Sequence, residues 1–385
     1  MRRRAGHEAG VLRTVSPVVL AFGTYDETRH PRVRVLLDGL AAHGATITTA
    51  NVPLGLSTAE RVAILRQAWR LPVLVRRLLG SWTGLVRAST VARRSARPDA
   101  ILVGYLGHFD VVLARMLFPR TTIVLDHLIF AGDTARDRGA GGLRARLLGA
   151  LDRVALACAD VIVVDTDEHA AMVSAGHRSR VVVTPVGAHD AWFRAAPGTE
   201  ESTASGDAAL SVVFFGLMTP LQGATTVAAA LADLDGLVRA TVIGTGQDGA
   251  AVDRILAGTS GVDRRPWVEP DALAALVAAH DVCLGIFGVS GKATRVVPNK
   301  VYQGAAAGCA VVTSDTAPQR RALGDAAAFV PAGDPEALAA VLAGLAADRD
   351  RLAGLRAAAR SRASQGFTPT AVTEALARRL GLAAS

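Results

Sequence analysis

The chain has 385 residues, half of them hydrophobic, which suffices for two domains with sizeable cores and excludes a small disulfide-held domain. Its formal net charge of +8 favours polyanionic partners, namely nucleotides, nucleic acid or an anionic membrane face, without choosing among them. The three cysteines lie in apolar segments without paired spacing, which indicates a reducing cytosol, and neither Cys nor His shows the spacing of metal ligands.

Strands and helices alternate through the first half of the chain. Buried strands rich in Val and Ile are predicted at 17–23, 45–51, 100–104, 121–125, 161–164 and 181–185, and helices at 33–43, 57–96 and 143–159, with a further helix ending at 117. Residues 133–139 are predicted to form a charged loop, and Asp165 or Thr166 is expected to cap the helix that follows. Nearly continuous apolar strands between helices are typical of a parallel, doubly wound sheet.

Residues 57–96 differ from the rest of the first half because arginines and two tryptophans, Trp69 and Trp82, are interleaved with aliphatic residues. The segment predicts one or two helices broken near Pro72. Arg with Trp on an amphipathic helix is typical of an interfacial membrane segment, and it equally describes a solvated helix over a domain core. Both interpretations stay open at this point.

A polar stretch rich in Gly, Ser and Thr, residues 197–208, predicts a linker, after which the alternation begins again. Strands are predicted at 211–215, 240–243, 281–284, 310–313 and 327–330, and helices at 225–234, 272–279, 301–308, 335–361 and 371–380. Two α/β halves joined by a linker imply a cleft with ligands at the carboxyl ends of the strands.

The loop within residues 285–308 combines glycines with cations and leads from a strand into a helix. It holds Lys292 and Lys300, the only lysines of the chain, while the other 40 basic residues are arginines. A helix start with nearby positive charge offers N–H groups and cations to an anion, typically a phosphate. We therefore predict an anion site here, with Pro298 in the first helical turn.

Several of these segments, in this order and spacing, resemble the GT-B fold glycosyltransferases of the retaining family 4, bacterial group 1 type. The segments that carry the resemblance are 214–223, 242–246, 284–292 and 298–303 in the second half, and 104–110, 133–138 and 165–169 in the first. The resemblance implies an α/β fold of two Rossmann-like, doubly wound parallel-sheet domains facing across a cleft. It implies an acceptor-side domain at 1–196, the linker 197–208, a nucleotide-sugar domain at 209–366, and a C-terminal helix at 367–385 that could pack back on the first domain.

The resemblance also implies the chemistry, which is transfer of a hexosyl or pentosyl group from a nucleotide-diphosphate sugar to an acceptor hydroxyl with retention of configuration. No tightly bound cofactor and no metal are expected, because fixed cations can neutralise the diphosphate. Two alternatives stay open: a GT-B fold sugar-nucleotide epimerase or phosphorylase, and a non-catalytic protein that binds nucleotide sugars or nucleic acid. Nucleic acid is not expected as a partner, since basic patches interleaved with stacking aromatics are absent.

Site residues follow from the motifs and from the need to stabilise a leaving diphosphate with cations and helix N–H groups. The predicted catalytic residues are Lys292, Arg295, Lys300, His108 and Asp126. The predicted nucleotide-sugar contacts are Gly23, Gly216, Gln222, Gly223, Gly244, Gly246, Phe287, Gly288, Pro298, Asn299 and Gln303. The predicted acceptor contacts are Tyr25, Arg32, Asp133 and Asp137.

The chain departs from the family pattern at four positions. Relatives commonly carry an Arg and a Lys where this chain has Leu217 and Gln222, and a pair of glutamates where it has Arg295 and Gln303. One loop has thus lost its cationic pair, and Lys292 with Arg295 could supply the charge from the other.

Partners and location are expected as follows. The acceptor could be a lipid-linked sugar, a polysaccharide precursor or a small natural product. No secretory signal and no apolar run long enough to span a bilayer is recognised, so a cytoplasmic protein is expected, with a peripheral contact to an anionic membrane as one option.

Overall fold

The computed structural model of the protein describes residues 16–27, 30–55, 71–137, 142–196 and 209–382. These residues form two α/β units, each built on a six-stranded parallel sheet. The strand orders are β2-β1-β3-β4-β5-β6 and β12-β11-β10-β7-β8-β9. The predicted fold class, two doubly wound parallel-sheet units, is confirmed. The predicted linker 197–208 and the first part of the amphipathic segment, 57–70, lie outside the described residues.

Except for the polar edge strands at 46–51 and 262–265, the strands form where apolar, mostly β-branched residues run without interruption, as expected for parallel sheets that are covered on both faces. The first sheet contains β1 (Val18–Gly23), β2 (Thr46–Asn51), β3 (Ala100–Val103), β4 (Thr122–Asp126), β5 (Val161–Val164) and β6 (Val181–Val183). The second contains β7 (Leu210–Phe215), β8 (Val238–Ile243), β9 (Val262–Arg265), β10 (Val282–Leu284), β11 (Ala310–Ser314) and β12 (Ala327–Val330).

Helices connect successive strands and cover the two sheets. The helices of the first unit are α1 (Pro31–Ala42), α2 (Leu71–Ser95), α3 (Asp110–Leu117), α4 (Ala131–Asp137), α5 (Gly142–Cys158), α6 (Asp167–Met172) and α7 (Asp190–Ala195). Those that follow are α8 (Ala224–Asp233), α9 (Gly249–Ile255), α10 (Pro270–Ala278), α11 (Asn299–Ala306), α12 (Ala317–Leu323), α13 (Pro335–Ala347), α14 (Arg349–Gly366) and α15 (Pro369–Arg379). No helix in the described part of the chain is both long and apolar enough to cross a bilayer.

The first sheet has two helical layers with separate cores. Helices α2, α3 and α5 cover one face, where Leu85, Val111 and Leu156 join one hydrophobic cluster with the strands. Helices α1 and α15 cover the other face through Leu36 and Leu376. Helix α15 follows the last strand of the second sheet. The chain therefore completes the second sheet and then returns to pack this helix on the first.

Four features differ from the sequence predictions. The segment predicted as a charged loop at 133–139 contains the end of α4, and the long helix predicted at 335–361 is two helices that meet at Asp348. The Asp348 carboxylate accepts a 2.9 Å hydrogen bond from the Arg351 amide and so caps α14. The short elements α7, α9, β9 and α12 were not predicted, because segments of four to seven residues carry little periodicity. Pro298 is the N-cap of α11 rather than a residue of its first turn.

Candidate functional site

The loops at the carboxyl ends of the two sheets contact each other directly. Arg295 Nη2 pairs with the Asp133 carboxylate at 2.7 Å, and Lys292 Nζ donates to Thr134 Oγ1 at 2.9 Å. The Thr166 hydroxyl donates to the Arg295 carbonyl oxygen at 2.8 Å. Two of the predicted phosphate cations are therefore engaged with the first unit across the gap between the sheets.

Lys300 lies in the first turn of α11, and its side chain is buried beneath the loop that follows β7. Its exposed fraction is 4%, and Nζ lies 3.7 Å from the centroid of the Phe214 ring. Nζ has no hydrogen-bond partner among the described residues. Burial lowers the pKa of Lys300 to about 7. A buried ammonium without a hydrogen-bonded acceptor is costly, which is why the protonated form is disfavoured here.

Lys300 lies at the carboxyl end of β7, a central strand of the second sheet. A Cβ built on Gly216, the residue after β7, would lie 3.8 Å from Lys300 Nζ. The neighbouring Gln222 also has a buried Oε1 without a hydrogen-bond partner in the described part of the chain. Both polar groups thus lie around the loop from Gly216 to Gly223, which is where the sequence predicts the nucleotide.

The predicted nucleotide glycines have a packing role that the sequence did not reveal. A Cβ on Gly223 would meet the backbone of Phe287 at 2.5 Å, and one on Gly288 would overlap the carbonyl groups of Pro220 and Leu221. Likewise Gly244 and Gly246 approach the backbone of Gly216 and Met218. These glycines let the loops after β7, β8 and β10 pack backbone to backbone, which fixes the floor around Lys300.

Arg32 and Asp126 form a buried ion pair in the first unit. Arg32 Nε lies 2.8 Å from Asp126 Oδ1, and Arg32 Nη2 donates to the Thr184 carbonyl oxygen at 2.9 Å. Burial raises the pKa of Asp126, and the Arg32 guanidinium opposes that shift. Both side chains are buried, and Arg32 Nη1 and Asp126 Oδ2 have no hydrogen-bond partner among the described residues. The acceptor contact of Arg32 and the catalytic role of Asp126 stay predictions.

His108 belongs to a buried cluster rather than facing the gap alone. His108 Nε2 lies 3.0 Å from Asp152 Oδ1, and Asp152 also accepts from the amides of Ala131 and Gly132 at 2.8 and 2.9 Å. Burial raises the pKa of Asp152, but the bonds from His108 and the two amides outweigh it and lower the pKa overall. The carboxylate therefore stays ionised and holds the imidazole in one orientation.

His127, which directly follows Asp126 at the end of β4, was missed by the sequence prediction. It is 1% exposed, and neither ring nitrogen has a hydrogen-bond partner in the described part of the chain. Its ring packs edge-on against His108 at 5.1 Å between centroids. Burial and the neighbouring His108 lower its pKa to about 3, so the imidazole is neutral at pH 7. Its position at a strand end was the available signal, whereas nothing in the sequence singled out Asp152.

Within the described part of the chain, His108, His127 and Asp152 form a group that could hold a metal ion. The ligand atoms of His108, His127 and Asp152 lie within 4.8 Å of one another. The His127 nitrogen is 3.9 Å from Asp152 Oδ1. Asp152 in this group also accepts three hydrogen bonds, from His108 and from the amides of Ala131 and Gly132.

The remaining predicted site residues fall into different environments. Tyr25 is 1% exposed, its hydroxyl lacks a hydrogen-bond partner among the described residues, and burial raises its pKa. Gly23 is buried at the end of β1, and Asp133 is paired with Arg295. Asn299 is half-buried at the start of α11, and Gln303 is buried one turn later. The Asp137 side chain lies outside the described residues.

The comparisons with known proteins agree with this architecture. Residues 225–378 match a protein-family model described as Glycosyl transferase-like. Sucrose-phosphate synthase from Thermosynechococcus elongatus is similar in structure, with a TM-score of 0.68 and 15% identity over 95% of this chain and 98% of that one. No curated protein matches the chain at the level of sequence.

Two further solved structures are similar over nearly their full length. The Anabaena protein HepE in complex with UDP has a TM-score of 0.65 and 13% identity, and the comparison covers 95% of this chain and 100% of that one. An α,α-trehalose-phosphate synthase (UDP-forming) from Burkholderia vietnamiensis has a TM-score of 0.63 and 13% identity, covering 95% and 97%. The chain therefore has the GT-B fold, and its second unit is glycosyltransferase-like in sequence.

Proposed function

We propose that the protein is a glycosyltransferase of the family 4 type, which moves a sugar from a nucleotide-diphosphate sugar to an acceptor hydroxyl with retention of configuration. The observation that carries the proposal is the buried Lys300 ammonium, which has no hydrogen-bond partner in the described part of the chain and lies at the carboxyl end of β7. A diphosphate placed there would supply the missing acceptor and would raise the lysine pKa from about 7.

The transfer requires that the bond between the anomeric carbon and the phosphate oxygen breaks while the acceptor oxygen bonds to that carbon. Negative charge grows on the leaving diphosphate, and fixed cations stabilise charge that develops in a transition state. Lys300, Arg295 and Lys292 are the cations we assign to this role. The acceptor proton passes to the leaving phosphate oxygen, so no separate protein base is needed.

The first unit would hold the acceptor and the transferred sugar. His127 offers neutral ring nitrogens that have no hydrogen-bond partner in the described part of the chain, and such groups can exchange hydrogen bonds with sugar hydroxyls. Asp152 fixes His108 beside it. We therefore add His127 to the proposed site and give Asp126 and Arg32 a structural role.

UDP-sugars are the first donors to test, because HepE was solved with UDP and with UDP-glucose. The partner that we propose beyond the nucleotide sugar is an unidentified acceptor, and a lipid-linked acceptor would suit a peripheral contact with an anionic membrane. We propose that the protein acts in the cytoplasm. We also expect its reaction to need no tightly bound cofactor.

The test is calorimetric titration with UDP, together with release of UDP from UDP-glucose, for the native chain and Lys300→Met. We expect at least tenfold weaker UDP binding in the variant, because a hydrogen bond to a charged group contributes about 1.5–3 kcal/mol. Arg378→Met, on an exposed and weakly paired side chain of α15, is the control and should bind UDP normally.

Two outcomes would contradict the proposal. Equal UDP affinity in Lys300→Met and the native chain would remove the role of Lys300, and the absence of binding to any nucleoside diphosphate would remove the function. Conversion of a sugar nucleotide with no acceptor present would favour an epimerase, and a strict need for free phosphate would favour a phosphorylase.

A further inference from the structure

Three helices of the first unit form one layer whose outward faces point to the same side of the molecule. Helices α2, α3 and α5 cover the same face of the first sheet and share one hydrophobic cluster with it. Helix α3 lies between the other two and contacts both. We call this surface the α2/α3/α5 face. The inner side of α5 reaches the proposed active site, because Asp152 binds His108 and the amides that follow β4, and the outward side of α5 is opposite to it.

Helix α5 places an apolar stripe on the outward side of this face. Leu143, Leu147 and Val154 are 72%, 62% and 50% exposed. Their spacing of four and seven residues is close to whole helical turns, so they align on one stripe. The buried residues of the helix, among them Ala155 and Leu156, point to the opposite side, into the core. The stripe is therefore aimed away from the protein.

Arginines border the stripe of α5 on both sides. Arg146 and Arg153 are exposed along one side and line a shallow groove over Gly149. Arg144 lies half-buried along the other side. An apolar stripe flanked by cations is typical of a helix that lies in the plane of a membrane interface.

Helix α2 repeats the pattern with the same spacing. Val75 and Leu79 are each 53% exposed, and Val86 is 38% exposed, again four and seven residues apart. The exposed arginines Arg76, Arg87 and Arg94 are 11 and seven residues apart and align beside this second stripe.

Charge on this face is mostly positive, with one ion pair between Arg115 of α3 and Asp160, which follows α5. Helices α2, α3 and α5 together contain nine arginines, no glutamate and two aspartates. Both aspartates, Asp110 and Asp152, are buried and hydrogen-bonded inside the unit. The described part of the second unit differs, because exposed arginines such as Arg320 and Arg264 pair with neighbouring aspartates.

We infer that the α2/α3/α5 face docks on an anionic phospholipid bilayer. Apolar stripes would enter the boundary between headgroups and acyl chains while the flanking arginines bind headgroup phosphates. Nucleic acid fits the charge but not two exposed aliphatic stripes, since it offers no apolar layer to receive them. The inference extends the membrane contact predicted from residues 57–96 to α5, which the sequence did not suggest.

The experiment is flotation of the purified full chain with vesicles of phosphatidylcholine, with or without phosphatidylglycerol. We expect flotation only with phosphatidylglycerol and a decrease as salt increases, because salt screens the attraction between exposed charges. Arg146→Gln with Arg153→Gln should weaken partitioning about 25-fold, since each arginine near an anionic surface contributes about fivefold. Leu143→Asp with Leu147→Asp should abolish it.

Matched controls are Leu237→Asp and Trp267→Asp, which change exposed apolar residues of the second unit that are 48% and 63% exposed. Both should float like the native chain. No flotation of the native chain, or equal loss in the controls and in the α5 variants, would overturn the inference. A dimer in solution that the Leu143 and Leu147 changes dissociate would assign the face to a second copy instead. UDP titration of the same variants keeps this result separate from the proposed function, because all of them should bind UDP normally.

Discussion

Two buried cations close to the gap between the units make an instructive comparison. Arg32 in the first unit is 2% exposed and Lys300 in the second is 4% exposed. Arg32 has the Asp126 carboxylate at 2.8 Å and a backbone carbonyl at 2.9 Å, whereas Lys300 contacts the face of Phe214 and has no hydrogen-bond partner among the described residues. Burying a charge costs several kcal/mol unless it is paired.

On our proposal, the difference distinguishes a charge that stabilises the fold from a charge that binds a ligand. The fold itself explains Arg32, because its partner Asp126 lies on β4. Removing Asp126 would leave the Arg32 guanidinium buried without a counter-charge. The fold accounts for Lys300 only in part, because the contact with the Phe214 ring offsets some of the cost of burying its charge but supplies no hydrogen-bond acceptor. A ligand that carries negative charge would offset the cost of burying the ammonium. We therefore base the proposed function on Lys300 rather than on the paired residues.

The largest expected effect concerns the paired cation. Asp126→Ala should lower the free energy of unfolding by about 3–5 kcal/mol, because it leaves the Arg32 guanidinium buried without its carboxylate. Urea denaturation measures this change. Arg34→Ala is the control, since Arg34 and Asp38 form an exposed pair that should contribute at most about 1 kcal/mol. A loss below about 1 kcal/mol for Asp126→Ala would show that the fold does not depend on this buried pair.

The unpaired cation should instead make nucleotide binding depend on pH. The free protein holds the pKa of Lys300 at about 7, so above that pH a diphosphate must bind the protonated minority. UDP affinity should therefore fall by up to about tenfold per pH unit above pH 7 until the pKa of the complex is reached. Calorimetry across this range would detect it, and Lys300→Met should remove the Lys300-dependent part of the slope.

Stability should change with pH in the opposite direction. The ordinary lysine pKa is 10.5 and the folded value is about 7, so the unfolded chain binds more protons between these pH values. The contribution of Lys300 to the free energy of unfolding is then most unfavourable below pH 7 and improves as pH rises towards 10.5. If the native chain and Lys300→Met showed the same pH dependence of urea denaturation, the lysine would not be buried as a cation.

This contrast marks what could be predicted from the sequence. The two parallel sheets followed from runs such as Val161–Val164, because apolar strands between helices permit few other folds. Lys300 was selected for its chemistry and for its place before a predicted short helix, whereas its burial against Phe214 could not be predicted. The role of Arg32 could not be predicted, because its partner is 94 residues away and only the folded chain brings them together.

The site in the first unit was predictable only in part for the same reason. His108 was selected from its position after β3, but its partner Asp152 lies within α5, where the sequence suggests an ordinary surface charge. His127 was passed over in favour of the adjacent Asp126. Both have buried polar atoms without a hydrogen-bond partner among the described residues, but Asp126 forms an ion pair with Arg32 through its other oxygen. Both residues depend on contacts between elements, which periodicity does not contain.

The smallest expected effect concerns Arg295, which is intermediate between the two buried cations. It is paired, but its partner Asp133 belongs to the other unit, and the two side chains are 27% and 17% exposed. If Arg295 binds the diphosphate, that ligand competes with Asp133 for the guanidinium. Asp133→Asn should then raise UDP affinity about two- to fivefold, because a partly exposed ion pair contributes about 0.5–1 kcal/mol.

Glu168→Gln is the matched control for that variant. Glu168 and Arg321 form another ion pair between the units, and Arg321 is not a predicted ligand of the nucleotide. Unchanged affinity in Glu168→Gln with tighter binding in Asp133→Asn would assign the effect to release of Arg295. An equal gain in both variants would instead show that loosening the contact between the units is enough. Weaker binding in Asp133→Asn would mean that Asp133 positions Arg295 for the ligand rather than competing with it.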